Sequence, residues 1–511
     1  MQLMGDKFSA EQVQQKRWSI HAVMSLGLVL VVMSVSSINV ALPTLVRDLG
    51  ATATDLQWIV DSYALVFAGI LLFAGALGDR FGRRGAFVFG LGIFALASLL
   101  SAFAGSSSEL IAYRAIMGVG AAFVMPATLS IISNVFTDPK ERTKAVALWA
   151  GFAGAGASIG PVASGLLLGS FWWGSIFLIN VPVILLALAG ALVLVPTSRD
   201  PQEQRLDFVG AFLSVAGLAL LIFGIIEGPN NGWLSGRTIS SVGAGLAILI
   251  GFIWWESKSD HPMLPIHYFR SPRFSISSLS ITLTFLAMFG LFFVLIQYMQ
   301  FVLGYSALGA AIRTLPLTFM FIASSAVAPG LLDKWGTKLV MSAGLVIAAA
   351  AFLLFATLKV DSGYLIIFLG MVVLGAGMGI AMPPATDALI GAVPPRKAGV
   401  GSAMNDTTRE VGGAVGIAIF GSVLASTYRR GIEDQAAELP TDLAQLAGES
   451  IGAAQAIATD FGDAGLALIG AANQAFTDGL VQTMFSGAGL LLITALIVYR
   501  WMPDKEAPIA D

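Results

Sequence analysis

Long apolar runs separated by short polar turns set the pattern of this chain. Fourteen runs are long enough to cross a ~30 Å hydrocarbon core as helices: residues 18–42, 55–78, 84–104, 108–135, 141–168, 174–195, 207–227, 237–257, 274–302, 308–332, 337–357, 363–392, 397–427 and 478–501. The pattern predicts an all-α polytopic membrane protein. Basic residues gather in alternate turns: Arg80/Arg83/Arg84, Lys140/Arg142/Lys144, Arg199/Arg205, Lys258/Arg270/Arg273, Lys334/Lys338 and Arg396/Lys397. The intervening short loops carry only Arg47, Arg237 and Lys359. By the positive-inside rule the first set is cytoplasmic, and both termini with it.

The turn Gly75-Ala76-Leu77-Gly78-Asp79-Arg80-Phe81-Gly82-Arg83-Arg84 recurs in degraded form as Gly330-Leu331-Leu332-Asp333-Lys334-Trp335-Gly336-Thr337-Lys338. The two aspartates lie 254 positions apart (79 and 333), and Leu49-Gly50 repeats at the same distance as Leu303-Gly304. Two landmarks sharing one offset indicate an internal duplication. The expected organisation is a cytoplasmic segment 1–17, a six-helix bundle 18–197, an inserted helix pair with linkers 198–270, and helices 9 to 13 of a second bundle over 271–427. A polar outer loop at 428–476, with room for short amphipathic helices, and a last helix with its tail at 477–511 complete it.

Composition narrows the chemistry. Hydrophobic residues make up 56% of the chain and charged residues 12%, about half the ~25% of a soluble protein. A net charge of −3 argues against nucleic acid, the absence of cysteine excludes disulfides, and three scattered histidines make no metal site. No nucleophile–base pair appears, so an enzyme is not expected.

Ionisable and polar residues inside a membrane usually face protein or a water-filled cavity. The candidates are Ser34 and Asn39 in helix 1, Asp61 and Tyr63 in helix 2, Arg114 in helix 4, and Gln297 and Gln300 in helix 9. Helix 13 adds Asp406, Arg409 and Glu410, the densest charged group, in which Asp406 and Glu410 share a face and Arg409 is placed to neutralise one of them. Gly156, Gly160, Pro161 and Gly165 in helix 5 suit close helix packing and a hinge. Asp387 reads as structural and Glu227 as solvated.

The pattern Gly75-x-x-x-Asp79-Arg80-x-Gly82-Arg83-Arg84 resembles the signature loop of the major facilitator superfamily of transporters. Leu110-x-x-x-Arg114-x-x-x-Gly118 resembles its helix-4 motif, and Gly156-Ala157-Ser158-Ile159-Gly160-Pro161-Val162-Ala163-Ser164-Gly165 its antiporter motif. Asn39-Val40-Ala41-Leu42-Pro43, Phe177-Leu178-Ile179-Asn180-Val181-Pro182 and Ala398-Gly399-Val400-Gly401-Ser402-Ala403 are similar to the fourteen-helix drug:proton antiporters. The resemblance implies two six-helix bundles plus an inserted pair. It also implies proton-driven export across a bacterial cytoplasmic membrane, with no cofactor beyond the proton gradient. In that reading Gly75, Asp79, Arg80, Gly82, Arg83 and Arg84, with Asp333 and Lys334, latch the halves. The chain departs from the family where Ser34 replaces a usual aspartate, Met117 a glutamine and Glu410 a glutamine.

Counted at ~1.5 Å per residue, Ser34, Asp61 and Arg114 fall in one outer layer, with Glu410 nearer the centre. Asp61 is therefore expected to pair with Arg114 in place of the missing helix-1 carboxylate. Asp61, Arg114 and Glu410 are assigned to proton coupling. Ser34, Asn39, Tyr63, Gln297, Gln300, Asp406, Arg409 and Glu410 are assigned to the substrate. Expected partners are an amphiphilic, cationic small molecule, protons and membrane lipid, with the protein a monomer. The alternative is a lipid or glycolipid translocase on the same fold.

Overall fold

The computed structural model describes residues 10–198, 206–264, 266–393, 398–459 and 461–503. Arg199, Arg205, Arg396 and Lys397 of the expected basic turns, residues 1–9 and the end of the tail lie outside the described residues. The described residues form helices and no strand: α1 (Ala10–Leu49), α2 (Ala53–Phe81), α3 (Arg83–Ala102), α4 (Ser107–Val135), α5 (Pro139–Leu168), α6 (Ser175–Leu178), α7 (Asn180–Leu194), α8 (Phe208–Asn231) and α9 (Gly236–Lys258). After a 3₁₀ turn at Ile266–Arg270 come α10 (Pro272–Phe301), α11 (Ala307–Phe355), α12 (Tyr364–Gly391), α13 (Ala398–Ala436), α14 (Thr441–Glu449), α15 (Ile451–Ala458) and α16 (Gly462–Trp501).

Thirteen of these stretches are long and apolar enough to cross a membrane. The 49-residue α11 is two of them in one, because Gly336 (φ 74°, ψ 165°) interrupts it. Split there, the count is the fourteen that the apolar runs predict. Short polar side chains start the helices by accepting from exposed backbone N–H groups. Ser106 takes the N–H of Glu109, Asp138 that of Glu141, and Ser271 that of Phe274. Pro139 and Pro272 stand at first-turn positions, where no donor is lost.

The stretch expected as a polar loop is mostly helical. α13 continues to Ala436 because Tyr428, Ile432 and Ala436, four residues apart, are all buried. The Tyr428 hydroxyl donates to the Ala447 carbonyl of α14 at 3.0 Å.

The duplication is written into the backbone. Gly50 (φ 62°) and Gly304 (φ 69°) hold one pair of turns; Gly82 (φ 121°) and Gly336 (φ 74°) hold the other. Each pair is 254 residues apart, and these positive φ values are open to glycine and strained for other residues. After the first pair, Thr52 and Asp55 cap α2 reciprocally, and Ser306, again 254 positions on, caps α11. Helix crossings repeat as well. A Cβ on Gly118 would lie 2.5 Å from the Tyr63 carbonyl oxygen, and one on Gly375 would strike that of Leu317. α5 crosses α1 with Gly156 and Gly160 on the carbonyls of Val29 and Met33; α13 crosses α10 with Gly412 and Gly416 on those of Thr282 and Leu286.

Two compact units divide the chain. Unit 1 holds Met1–Ile38, Ser62–Ala219 and Gly245–Pro265; unit 2 holds Asn39–Asp61, Leu220–Ala244 and Ile266–Asp511. Within unit 2, Gln300 Nε2 donates to the Val40 carbonyl at 3.0 Å and Ser422 donates to Gln57 Oε1 at 3.4 Å.

Candidate functional site

Unit 1 places Arg114 of α4 among α1 and α2, with no solvent exposure. Its Nη1 donates to Ser34 Oγ at 3.3 Å and to the Ser34 carbonyl at 3.4 Å. The guanidinium carbon stands 4.4 Å from the Tyr63 ring centroid, a geometry in which the ring face attracts a desolvated cation. Tyr63 is fully buried, with its hydroxyl donating to the Val31 carbonyl. The small residues Ser62 and Gly118 bring α2 and α4 together, Ser62 donating to the Ile111 carbonyl at 3.1 Å. Ser34 and Tyr63, expected to face substrate, thus hold Arg114.

Asp61 lies at the edge of unit 2, fully buried. Neither carboxylate oxygen has a hydrogen-bond partner, and no ion pair includes it, among the described residues. The ion pair expected of Asp61 is thus not made by its carboxylate among the described residues, while Arg114, within unit 1, has a hydroxyl, a carbonyl and a ring among its partners. Ser34 supplies acceptors at the guanidinium, and the Tyr63 ring attracts its charge.

Unit 2 carries the second charged group, on α13. Asn405 Nδ2 donates to Asp406 Oδ1 at 3.3 Å, and Thr386 of α12 donates to Asn405 Oδ1 at 3.2 Å. Arg409 makes no ion pair with Asp406 or Glu410 among the described residues. Its guanidinium instead stands 5.0 Å over the Phe285 ring. Glu410 Oε2 is buried and without a partner. Arg409 thus stays beside both carboxylates on α13 without closing a direct ion pair to either, its guanidinium standing over Phe285 of α10.

The remaining candidates divide between packing and turns. Gln297 donates back to the Phe293 carbonyl of its own helix at 2.8 Å and borders a cavity of about 30 Å³. Gln300 pins α10 to α1, and Asn39 is buried. In the basic turn, Asp79 accepts from Arg83 Nε at 2.6 Å. Arg84 donates to the Leu192 carbonyl at 2.7 Å, Arg83 N–H to the Ser198 carbonyl at 2.9 Å, and Arg80 lies over Phe81. A Cβ on Gly75 would meet Pro126 of α4 at 3.4 Å. In the copy, Asp333 and Lys334 are exposed. Gly156 and Gly160 pack α5 on α1, Gly165 is buried, and α5 runs through Pro161 unbroken. Their counterparts Gly412 and Gly416 escaped the sequence reading, although the same four-residue glycine spacing marks both helices.

Residues 24–417 match the family profile described as Major Facilitator Superfamily. The chain belongs to the major facilitator superfamily. As a superfamily member it is a multi-pass membrane transporter and not an enzyme. The multidrug efflux pump LfrA of Mycolicibacterium smegmatis is 34% identical over 96% of this chain and 97% of its own length. The tetracenomycin C resistance and export protein of Streptomyces glaucescens is 30% identical over 98% and 95%. The methyl viologen resistance protein SmvA of Salmonella typhimurium is 32% identical over 94% and 97%. Among solved structures, a bacterial homologue of the human lysosomal transporter Spinster superposes with a TM-score of 0.67 at 17% identity, covering 98% of this chain and 100% of the other. The peptide transporter POT does so at 0.64 and 15%, covering 96% and 97%. These likenesses concern the superfamily fold alone.

Proposed function

We propose that this transporter exports amphiphilic, cationic compounds across the bacterial cytoplasmic membrane in exchange for protons, by alternating access, with both termini in the cytoplasm. The similarity to a multidrug efflux pump, to an antibiotic export protein and to a methyl viologen resistance protein supports drug export. Proton exchange rests on one observation: Asp61 is wholly buried with neither oxygen hydrogen-bonded among the described residues. An uncompensated charge inside a protein is strongly destabilising. Gaining or losing a proton at such a carboxyl therefore changes the energy of the surrounding helices and ties protonation to their arrangement. Glu410, with its buried oxygen, provides a second carboxyl for a proton or for the cation.

Proteoliposomes loaded with a pH-sensitive dye test this reading. Addition of a cationic dye substrate should move protons in the wild type, and Asp61→Asn should abolish that movement while leaving substrate binding measurable. Undiminished drug-driven flux in Asp61→Asn removes Asp61 from the mechanism. Movement of a fluorescent lipid with no proton flux in the wild type replaces drug export with the translocase reading.

A further inference from the structure

Unit 2 contains a cavity of about 410 Å³ between the first half of α11, α12 and α13. Phe321, Met382, Pro383 and Ile390 make its apolar walls, and its polar lining includes Arg409 and Asp387. Asp387 is highly exposed and already stands 3.8 Å from a cation, Arg273. Arg409 is in the opposite situation. It takes part in no ion pair, and its Nε is buried with no acceptor among the described residues. Asp406 is engaged by Asn405, and neither Asp406 nor Glu410 lines the cavity. The cavity lining thus holds one carboxylate that already has a cation beside it and one guanidinium with no direct ion-pair partner among the described residues.

We propose that this cavity is a subsite for the anionic oxygen of an amphiphile, with Arg409 as its counter-ion and the apolar walls holding an aromatic or aliphatic body. The proposal rests on the drug-transport reading and enlarges its substrate range from cations to acids and zwitterions. A volume of about 410 Å³ lies within the ~300–1,000 Å³ range of small-molecule pockets. A guanidinium meeting a carboxylate, sulfonate or phosphate oxygen forms the charge-assisted bond that neutral donors cannot match. The Phe285 ring, 5.0 Å from the guanidinium carbon, adds a cation–π contact that helps hold the arginine at the cavity. The same chemistry belongs to a free amphiphilic acid and to the headgroup of an anionic lipid.

Two probes with one apolar body and opposite charge make the test: 1-pyrenebutyrate and 1-pyrenemethylammonium, bound to purified full-length protein in phosphatidylcholine nanodiscs without a proton gradient. Arg409→Gln should weaken pyrenebutyrate at least ~10-fold, the loss of one charge-assisted bond, and leave the cation unchanged or tighter. Arg409→Lys should retain most of the acid's affinity. Met382→Trp, which fills the cavity, should weaken both probes. Unchanged pyrenebutyrate affinity in Arg409→Gln, or in Met382→Trp, overturns the proposal. If Arg409→Gln melts, the contrast between Arg409→Lys and Met382→Trp decides: equal losses for both probes in Arg409→Lys count against it. Phosphatidylglycerol added to the discs should compete with pyrenebutyrate in wild type if the headgroup is the occupant. Absence of competition, with the Arg409 dependence intact, assigns the site to free acids. Because no gradient is present, failure of proton coupling leaves these readings untouched.

Discussion

Arg114 is a guanidinium sealed inside a helix bundle with a serine where a carboxylate is expected. Two of its contacts are long bonds to Ser34, at 3.3 and 3.4 Å, and the Tyr63 ring adds a cation–π contact. Ser34→Ala removes the hydroxyl and leaves the carbonyl. The expected loss is on the order of 1 kcal/mol, at the low end for a bond to a charged group. A lowered melting temperature in detergent would show it, and no change would mean that ring and carbonyl suffice. At this scale the sequence was legible in kind and not in pairing. Residue type within apolar runs marked Arg114, Asp61, Arg409 and Glu410 as charges inside the membrane-spanning helices. Which atoms they meet depends on side-chain direction, and a hydroxyl, a carbonyl or an aromatic face competes for a guanidinium as well as an aspartate does.

Among elements, the crossings are set by small residues meeting carbonyls. A Cβ at Gly160 would lie 2.8 Å from the Met33 carbonyl oxygen and against Ser36, whereas one at Gly154 meets nothing within 4 Å. Gly160→Val should therefore force α5 off α1 at a cost of about 1–3 kcal/mol, as overpacking does. Gly154→Ala should leave the melting temperature unmoved or slightly raised. Equal effects at the two positions would show that the crossing is not what these glycines serve. Most helices were legible from apolar runs, and the motif glycines of α5 from spacing. The extension of α13 was not, because Arg429, Arg430, Glu433 and Asp434 read as loop. The buried stripe Tyr428–Ile432–Ala436 was the available signal, at a four-residue spacing that polar neighbours hid.

The whole molecule is a duplication of packing without a duplication of charge. The backbone crossings recur in both halves, yet the position 254 residues after Asp61 is Leu315, and the one matching Arg114, at the 257-residue offset of the crossing glycines Gly118 and Gly375, is Met371. The second half instead carries its charges on α13, where the equivalent helix α5 has Ala150, Ala153 and Gly154. Shape has been kept by both copies while the ionisable groups were placed once each. The turn glycines test how far shape is shared. Gly336→Ala should cost about 1–3 kcal/mol, the usual penalty for a strained backbone position, and Gly82→Ala should cost a similar amount. Gly330→Ala, in open space within the same turn region, should be neutral in a thermal melt. A tolerated Gly336→Ala would mean that the second turn has lost the constraint of the first.

The bond from Gln300 to the Val40 carbonyl joins residues 260 apart. Ribosomes add ~5–20 residues per second, so Val40 waits roughly 13 to 52 seconds before its partner is synthesised. Gln57 waits longer still for Ser422, 365 residues downstream. The first hairpin of the protein is thus born into the bilayer with its destination unbuilt. Slowing translation lengthens the interval in which these side chains lack their final partners.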